Sequence, residues 1–119
     1  MSDSLDVQLR KGVLDLCVLA ILARGESYAY EIAQQLAEQI GMGEGTIYPL
    51  MRRLQNDGLV DTYLVESSSG PSRKYYKLTK TGKAAYAKQK SSWIQFARSV
   101  DEICKEPGRD PRQVRSRSA

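Results

Sequence analysis

The chain has 119 residues, of which 41% are hydrophobic, so it can build one compact core but leaves no room for a second domain of ordinary size. It contains no histidine, which excludes Ser-His and Cys-His nucleophile pairs and the imidazole-rich zinc sites of many hydrolases. Its formal net charge is only +4, so the placement of the charges is more informative than their sum.

The short motifs of the sequence indicate neither an enzyme nor an exported protein. There is no Gly-rich phosphate loop and no paired acidic motif, so we expect no cofactor. Cys17 and Cys104 lie far apart without C-x-x-C spacing, which predicts two reduced thiols that act as small apolar residues, a redox switch being the alternative. Signal-peptide and membrane-span patterns are absent, so a cytoplasmic protein without a membrane partner is expected.

Positive charge accumulates toward the C-terminus. Residues 1–43 contain three basic and six acidic side chains, residues 44–82 contain six and four, and residues 83–119 contain nine and four. Between Ser67 and Val100 there are eight Lys or Arg residues and no Asp or Glu. A hairpin within this stretch would display its charges at fixed points, which favours nucleic acid as a partner. The alternative is a merely solvated surface.

The first predicted helix is apolar on nearly all sides and ends at Gly25. One side repeats at helical spacing through Leu9, Val13, Leu16, Cys17 and Ala20, and the other through Leu14, Val18, Ile21 and Leu22. In a small domain such a helix needs partners on two faces, so we expect one face to contact a second subunit. Ser27 is then predicted to cap a short amphipathic second helix that ends before Gly41.

A third helix is predicted after Gly43-Glu44-Gly45 and is closed by Asn56-Asp57-Gly58. Pro49 lies close enough to its start to cost little hydrogen bonding. Its apolar stripe is Ile47, Leu50, Met51 and Leu54. Its opposite side, which includes Pro49, is rich in hydrogen-bond donors: Thr46, Tyr48, Arg52, Arg53 and Gln55.

A basic hairpin follows the third helix. Leu59 to Glu66 is predicted as a strand, Ser67 to Ser72 as a turn and Arg73 to Leu78 as a returning strand. Of Tyr75 and Tyr76 in the returning strand, one is predicted to pack beneath the hairpin and the other to be exposed. Short helices, a donor-rich third helix and a basic hairpin predict a winged helix-turn-helix, an α+β and mostly α fold, over residues 1–79.

The last predicted helix begins after a Thr79 cap and occupies residues 80–105. Tyr86, Trp93 and Val100 are seven residues apart, with Phe96, Ala97, Ile103 and Cys104 at intervening three- and four-residue steps. Such a seam is typical of a coiled coil and would be exposed in a monomer, so this is predicted to be a dimerisation helix. Residues 106–119 have too few apolar side chains to fold and are predicted to be a disordered basic tail.

Two runs resemble the PadR-like family of transcriptional regulators, named for the phenolic acid decarboxylase repressor. Gly45-Thr46-Ile47-Tyr48-Pro49-Leu50, with Arg53-Leu54 and Asp57-Gly58-Leu59 after it, is similar to the family's recognition helix. The run from Gly70 to Thr79, with Gly82 behind it, is similar to the family's wing and its junction to the last helix. The short last helix resembles the smaller branch of the family. Gly43 and Glu44 depart from the family pattern, and the role of Glu44 is left open.

The resemblance implies a ligand-responsive repressor that binds duplex DNA as a homodimer on a pseudo-palindromic operator. The candidate DNA-binding residues are Thr46, Tyr48, Pro49, Arg52, Arg53, Arg73 and Lys74, of which Thr46 and Tyr48 are candidates for base edges and the four basic residues for phosphates. The candidate dimer surface and ligand pocket comprise Leu9, Val13, Tyr86, Trp93, Phe96 and Val100. In one drug-responsive branch of the family, paired tryptophans hold flat aromatic ligands, so Trp93 is either a packing residue or part of a pocket for a small aromatic effector.

Two other classes of protein stay open at this point. A winged helix can serve as a protein-interaction module, in which case the third helix is expected to expose apolar side chains. A small enzyme needs a concave site with perturbed titratable groups, and the sequence contains no such constellation. The donor-rich third helix favours DNA over both alternatives.

Overall fold

The computed structural model describes residues 9–10 and 12–106 of the chain. In chain order it contains α1 (Leu14–Arg24), β1 (Ser27–Tyr28), α2 (Ala29–Gln39), α3 (Glu44–Asn56), β2 (Val60–Ser67), β3 (Gly70–Leu78) and α4 (Lys80–Cys104). The predicted α+β, mostly helical winged helix-turn-helix with a long C-terminal helix is confirmed. Apart from Glu106, the tail predicted for residues 106–119 lies outside the described residues.

The chain divides into two compact units, Met1–Gln89 and Lys90–Ala119, and the division falls inside α4. The first unit contains one hydrophobic core, to which α1, α2, α3 and the sheet all contribute. Its buried side chains are Leu14, Val18, Leu19, Leu22, Ile32, Ala33, Leu36, Met42, Ile47, Leu50, Met51, Leu54, Val60 and Tyr76. The predicted apolar stripe of α3 is entirely within this set, which leaves the polar side of that helix facing outward.

The sheet has the strand order β1-β3-β2, with both pairs antiparallel. The connection between β2 and β3 is shorter than predicted, because β3 already begins at Gly70 and only residues 68 and 69 form the turn. Backbone pairing with β2 extends into the Gly-Pro-Ser segment that the composition indicated as turn. The register shifts by one residue between Val65 and Ser67, and beyond this shift Tyr63 lies opposite Tyr75 and Thr62 opposite Tyr76.

The prediction that Ser27 caps the second helix is wrong. Ser27 lies in β1 opposite Tyr76 of β3, and α2 begins only at Ala29 after the extended residue Tyr28. Because the Ser27 backbone belongs to the sheet, its hydroxyl does not cap the helix and donates instead to the Glu31 carboxylate. A two-residue strand is too short to show the alternation by which strands are found in a sequence.

The third helix begins at Glu44, earlier than its sequence suggested, so Pro49 is its sixth residue. At that position a proline nitrogen cannot donate to the carbonyl of the residue four positions before it. We expected Pro49 to cost little hydrogen bonding, and it costs the helix one backbone hydrogen bond. The predicted end of the helix is confirmed: Gly58 has φ +78°, in the left-handed region that ends helices, and its N–H donates to the Gln55 carbonyl over 3.0 Å.

The start of α4 is fixed to the connection between α3 and β2. The Thr79 hydroxyl accepts a bond from the Gly82 N–H at 2.9 Å, as a cap does, and donates to the Gly58 carbonyl at 2.7 Å. The Thr79 N–H also donates to the Leu59 carbonyl at 3.1 Å. Gly82 approaches the same carbonyl so closely that a Cβ on it would lie 2.0 Å from the Leu59 oxygen. The predicted Thr79 cap is confirmed.

Candidate nucleic-acid interface

One outward side of α3 meets the wing, which is the hairpin of β2 and β3. Tyr48, Arg52 and Gln55 follow one another at four- and three-residue steps along the helix, so they share a side of it. Together with Lys74 and Tyr76 of the wing, and with Ala29, they line a cleft of about 310 Å³. The helix and the wing therefore present polar side chains to one continuous surface, which we call the α3–wing surface.

Adjacent residues of β3 point to opposite faces of the sheet. Tyr76 is buried in the core. Lys74 lies on the same face of the sheet as Tyr76, with its ammonium 6.0 Å from the centre of the Tyr76 ring. Because side chains alternate along a strand, Arg73, Tyr75 and Lys77 belong to the other face. The two basic residues that the sequence offered together as phosphate ligands are thus separated: Lys74 lies on the α3–wing surface and Arg73 on the far face of the sheet.

The phenol groups at the α3–wing surface are kept neutral. Partial burial raises the pKa of the Tyr48 hydroxyl, and the negative charge of Glu44 raises it further. Burial also raises the pKa of Tyr76, against a smaller opposing effect of the Arg52 charge. Both hydroxyls therefore remain protonated at neutral pH, and a protonated phenol can donate a hydrogen bond to a base edge or a phosphate.

The opposite side of α3 faces α1. Thr46, Pro49 and Arg53 line a second cleft, of about 440 Å³, with Leu14, Asp15 and Leu50. Within it the Arg53 guanidinium makes a two-pronged ion pair with Asp15, Nη1 to Oδ2 at 3.1 Å and Nη2 to Oδ1 at 2.8 Å. The hydrogen bond and the charge of Asp15 raise the pKa of Arg53. The predicted set on α3 is thus divided between the two sides of the helix.

The ion pair does not remove Arg53 from the DNA-binding candidates. The side chains of Arg53 and Asp15 are 54% and 35% exposed. An ion pair so open to water contributes only about 0–1 kcal/mol to the stability of the fold. A nearby phosphate can therefore compete with Asp15 for the guanidinium at little cost in stability. A phosphate contact by Arg53 stays a prediction, and in the described structure this side chain joins α3 to α1.

Three tyrosines form a group on the far face of the sheet that the sequence did not indicate, although Tyr75 was singled out by itself. The Tyr75 ring lies between the rings of Tyr28 and Tyr63, with centroid distances of 5.4 and 5.7 Å. Tyr76 is the tyrosine that packs in the core, as predicted for one of the pair, but Tyr75 is half-buried rather than exposed. The turn and a one-residue register shift between Val65 and Ser67 together decide this arrangement, because beyond the shift Tyr63 lies opposite Tyr75.

The second unit displays the predicted seam of α4. Trp93, Phe96 and Val100 are all exposed, as are Ile94 and Ile103 of the same helix. Tyr86, which the sequence grouped with them, belongs to the first unit and packs half-buried against its core. Of the two predicted contributors near the N-terminus, Leu9 is exposed and Val13 is half-buried.

Among residues 9–10 and 12–106, no group of three or more Cys, Asp and Glu side chains is arranged to hold a metal ion. In the same part of the chain, no helix combines the length and the apolar character needed to cross a bilayer.

Known proteins share both the sequence and the fold. Residues 18–88 match the model of the transcriptional regulator PadR-like family. A PadR-like transcriptional regulator from Bacillus cereus is 36% identical, with a TM-score of 0.77 over 84% of this chain and 99% of that chain. A PadR-like transcription factor from Bacteroides fragilis is 40% identical, with a TM-score of 0.68 over 84% and 98%. Bacillus subtilis PadR in complex with operator DNA is 26% identical, with a TM-score of 0.58 over 65% of this chain and 45% of that chain.

Proposed function

The chain belongs to the PadR-like family of transcriptional regulators, which makes it a DNA-binding regulator and not an enzyme, and from this premise we propose that it is a ligand-responsive repressor that binds a pseudo-palindromic operator as a homodimer. The Bacillus subtilis PadR structure with operator DNA supports duplex DNA as the partner. The motif resemblance of α3 and the wing to this family supports the repressor role.

We propose that α3 enters the major groove and that the wing follows the adjacent backbone. The observation that carries this proposal is the α3–wing surface, on which Tyr48 and Arg52 of the helix meet Lys74 of the hairpin. Phosphate contacts supply most of the affinity and base contacts the discrimination. Arg52 and Lys74 are therefore the proposed phosphate ligands, and Tyr48 is the proposed reader of base edges. Thr46 and Pro49, which lie on the side of α3 that faces α1, are proposed as further DNA contacts.

The proposed homodimer rests on the exposed apolar side chains of α4. A helix that exposes Trp93, Phe96 and Val100 at three- and four-residue steps gains stability by burying them against an apolar partner surface. A second copy of the same helix offers that surface, and a two-fold axis brings a residue near the axis against its own copy. In this arrangement two Trp93 indoles face each other, which supports a small planar aromatic molecule as the effector.

A protein-interaction module is the second candidate function, and the exposed side of α3 argues against it. The side chains there are donors such as Arg52 and Gln55, whereas the centre of a protein interface is depleted in charge and rich in apolar groups. The apolar surface of the described chain is concentrated on α4, where it serves the proposed dimer.

The test separates phosphate contact from base reading. Lys74→Ala should weaken binding to all duplex sequences alike and lower the slope of log affinity against log salt by about 1. Tyr48→Phe, which removes only the hydroxyl, should leave that slope unchanged and reduce discrimination between preferred and random duplexes by about tenfold. Preferred duplexes are obtained by selection from a random library, and affinities are measured by fluorescence anisotropy at several salt concentrations.

Lys88→Ala is the matched control, because it removes the same charge from an exposed position of α4 outside the α3–wing surface. It should leave the salt slope unchanged. An unaltered slope for Lys74→Ala, or an equal fall for Lys88→Ala, would contradict the proposed interface.

A further inference from the structure

The far face of the sheet carries a row of three tyrosines, one from each strand. Tyr28 comes from β1, Tyr75 from the central β3 and Tyr63 from β2. The Tyr75 ring is tilted by 51° to Tyr28 and lies within 26° of parallel to Tyr63, and both offset arrangements are favourable for aromatic pairs. This row crosses the whole sheet on the face opposite the α3–wing surface.

Two contacts join the hairpin of β2 and β3 to the segment that contains β1. The guanidinium carbon of Arg73 lies 4.7 Å from the centre of the Tyr28 ring, which is within the range of a cation–π contact. At the other end of the row, the Tyr63 hydroxyl donates a hydrogen bond to the carboxylate of Glu26, the residue before β1. Both contacts connect the hairpin to the short segment between α1 and α2.

The contact of Arg73 with Tyr28 holds a part of the hairpin that does not pair with β1. β1 pairs with β3 only at Ser27 and Tyr28, opposite Tyr76 and Tyr75. Toward its tip, the hairpin continues without a third strand, and an isolated two-stranded ribbon is only marginally stable in water. Arg73 is the first residue of β3 beyond that end whose side chain points to the tyrosine face, and it reaches back to Tyr28.

We infer that Arg73 is a positioning residue for the wing, which acts on DNA binding through the Tyr28 ring rather than by contact with a phosphate. Lys74 follows Arg73 directly and points to the opposite face, so holding Arg73 against Tyr28 fixes the direction in which Lys74 leaves the strand. Free rotation of the hairpin tip would spread the Lys74 ammonium over many positions, only some of them beside α3. The inference rests on the proposed function, because Lys74 is the group whose position matters.

The two roles of Arg73 differ in what a salt titration measures. A phosphate ligand releases a counterion, so its loss lowers the salt slope by about 1. A positioning residue changes the fraction of molecules whose wing is correctly placed, which lowers affinity equally at all salt concentrations. A cation–π contact at a partly exposed site corresponds to roughly a two- to fivefold change in that equilibrium.

The experiment is a double-mutant cycle on the full chain with a mixed-sequence 30-base-pair duplex as the probe. We expect Arg73→Ala and Tyr28→Leu each to weaken binding by roughly two- to fivefold without a change in salt slope. The double variant should bind no more weakly than the weaker single variant, because both substitutions remove the same contact. Tyr28→Phe keeps the ring and should retain the wild-type dependence on Arg73, which distinguishes loss of the contact from a fold damaged by Tyr28→Leu.

A salt slope lowered by about 1 in Arg73→Ala, with effects that multiply in the double variant, would overturn the inference. Lys74→Ala, measured alongside, separates this failure from a failure of the proposed function. If Lys74→Ala lowers the slope and Arg73→Ala does so too, only the positioning role is lost. If Lys74→Ala leaves the slope unchanged, the proposed α3–wing surface itself is wrong, and the positioning role is lost with it.

Discussion

Both ends of α4 carry apolar side chains, but those at the first end pack against a core and those at the other end are exposed. At the first end, Gly82 is buried and Ala85 and Tyr86 pack against the core of the first unit. At the other end, Phe96 and Ile103, which are seven residues apart as Tyr86 and Trp93 are, are 63% and 83% exposed. The amphipathic pattern continues along the helix, whereas the chain's own core covers only its beginning.

This difference shows that periodicity identifies the apolar side of a helix but not what covers it. The first turns of α4 are fixed by the chain itself, through the Thr79 cap and the close approach of Gly82 to Leu59. The last turns carry apolar surface that the described part of the chain leaves open, which is the reason for proposing a second copy as its partner. Substitutions at the two ends should therefore have different consequences, the first on folding and the second on assembly.

The largest effect is expected from Gly82→Ala at the covered end. In an open helix this change would stabilise the fold by about 1 kcal/mol, but here the new Cβ would meet the Leu59 carbonyl oxygen at 2.0 Å and the Leu78 side chain at 3.2 Å. Because a backbone oxygen cannot rotate away, overpacking should outweigh the gain and lower the free energy of unfolding by about 2 kcal/mol or more. Urea unfolding followed by circular dichroism measures this change.

Gly45→Ala is the matched control, since Gly45 also lies in a helix but a Cβ there would meet nothing within 4 Å. It should raise the free energy of unfolding by up to about 1 kcal/mol. If Gly82→Ala raises the urea midpoint as Gly45→Ala is expected to do, the packing of α4 on the Leu59 backbone is not as described.

The next effect is expected at the exposed end, from Val100→Glu. Val100 is 38% exposed in one chain, so a carboxylate there remains hydrated and the fold should survive. In a dimer joined through this stripe the same carboxylate would be buried without a partner, which should raise the dimer dissociation constant by about tenfold or more. Sedimentation velocity over a range of protein concentrations should then detect folded monomers, and operator binding should weaken with them.

Ser91→Glu adds the same charge at an exposed position on the side of α4 opposite this stripe and serves as the control. It should sediment as the wild type does. A Val100→Glu protein that stays dimeric at concentrations where the wild type is dimeric would show that another surface joins the subunits.

Much of the fold was predictable because it rests on local patterns. The apolar stripe of α3, the wing and the Thr79 cap all involve residues close in sequence, whose periodicity or turn chemistry is visible without a structure. β1 was missed because two residues show no alternation, and its omission led to the wrong role for Ser27. The turn was predicted too long because Gly70 and Pro71 favour turns, whereas here both belong to β3 and Gly70 pairs with Ser67 of β2.

The candidate site was predictable as a set of residue types but not as an arrangement. Donors on α3 and cations on the wing followed from spacing, whereas the ion pair of Arg53 with Asp15 joins residues 38 positions apart that no local pattern connects. Arg73 and Lys74 lie on opposite faces of the sheet because side chains alternate along a strand, and their partners on β2 depend on the two-residue turn and on the register shift between Val65 and Ser67. The requirement for glycine at position 82 likewise comes from a distant carbonyl and not from helix propensity.

The smallest expected effect concerns Trp93, the only tryptophan of the chain, which is 43% exposed at the open end of α4. Its fluorescence therefore reports on that end alone. If two indoles face each other across a dimer, a planar aromatic cation can stack between them, and a ligand that prefers one dimer shape shifts the spacing of the two recognition helices. The alternative role of Trp93 is simply to pack the dimer.

Titration with a panel of planar aromatic cations, including proflavine, distinguishes these two roles. Quenching of Trp93 emission, together with a severalfold change in DNA affinity, is expected for an effector pocket, because only differential binding to two dimer shapes can alter DNA binding. Trp93→Ala should weaken dye binding, measured by calorimetry, while sedimentation still shows a dimer. Ile94→Ala, at the neighbouring exposed position, should keep both the quenching and the dye affinity. Unchanged emission and unchanged DNA affinity across the whole panel would leave Trp93 with the packing role, so the open end of α4 would then serve assembly alone.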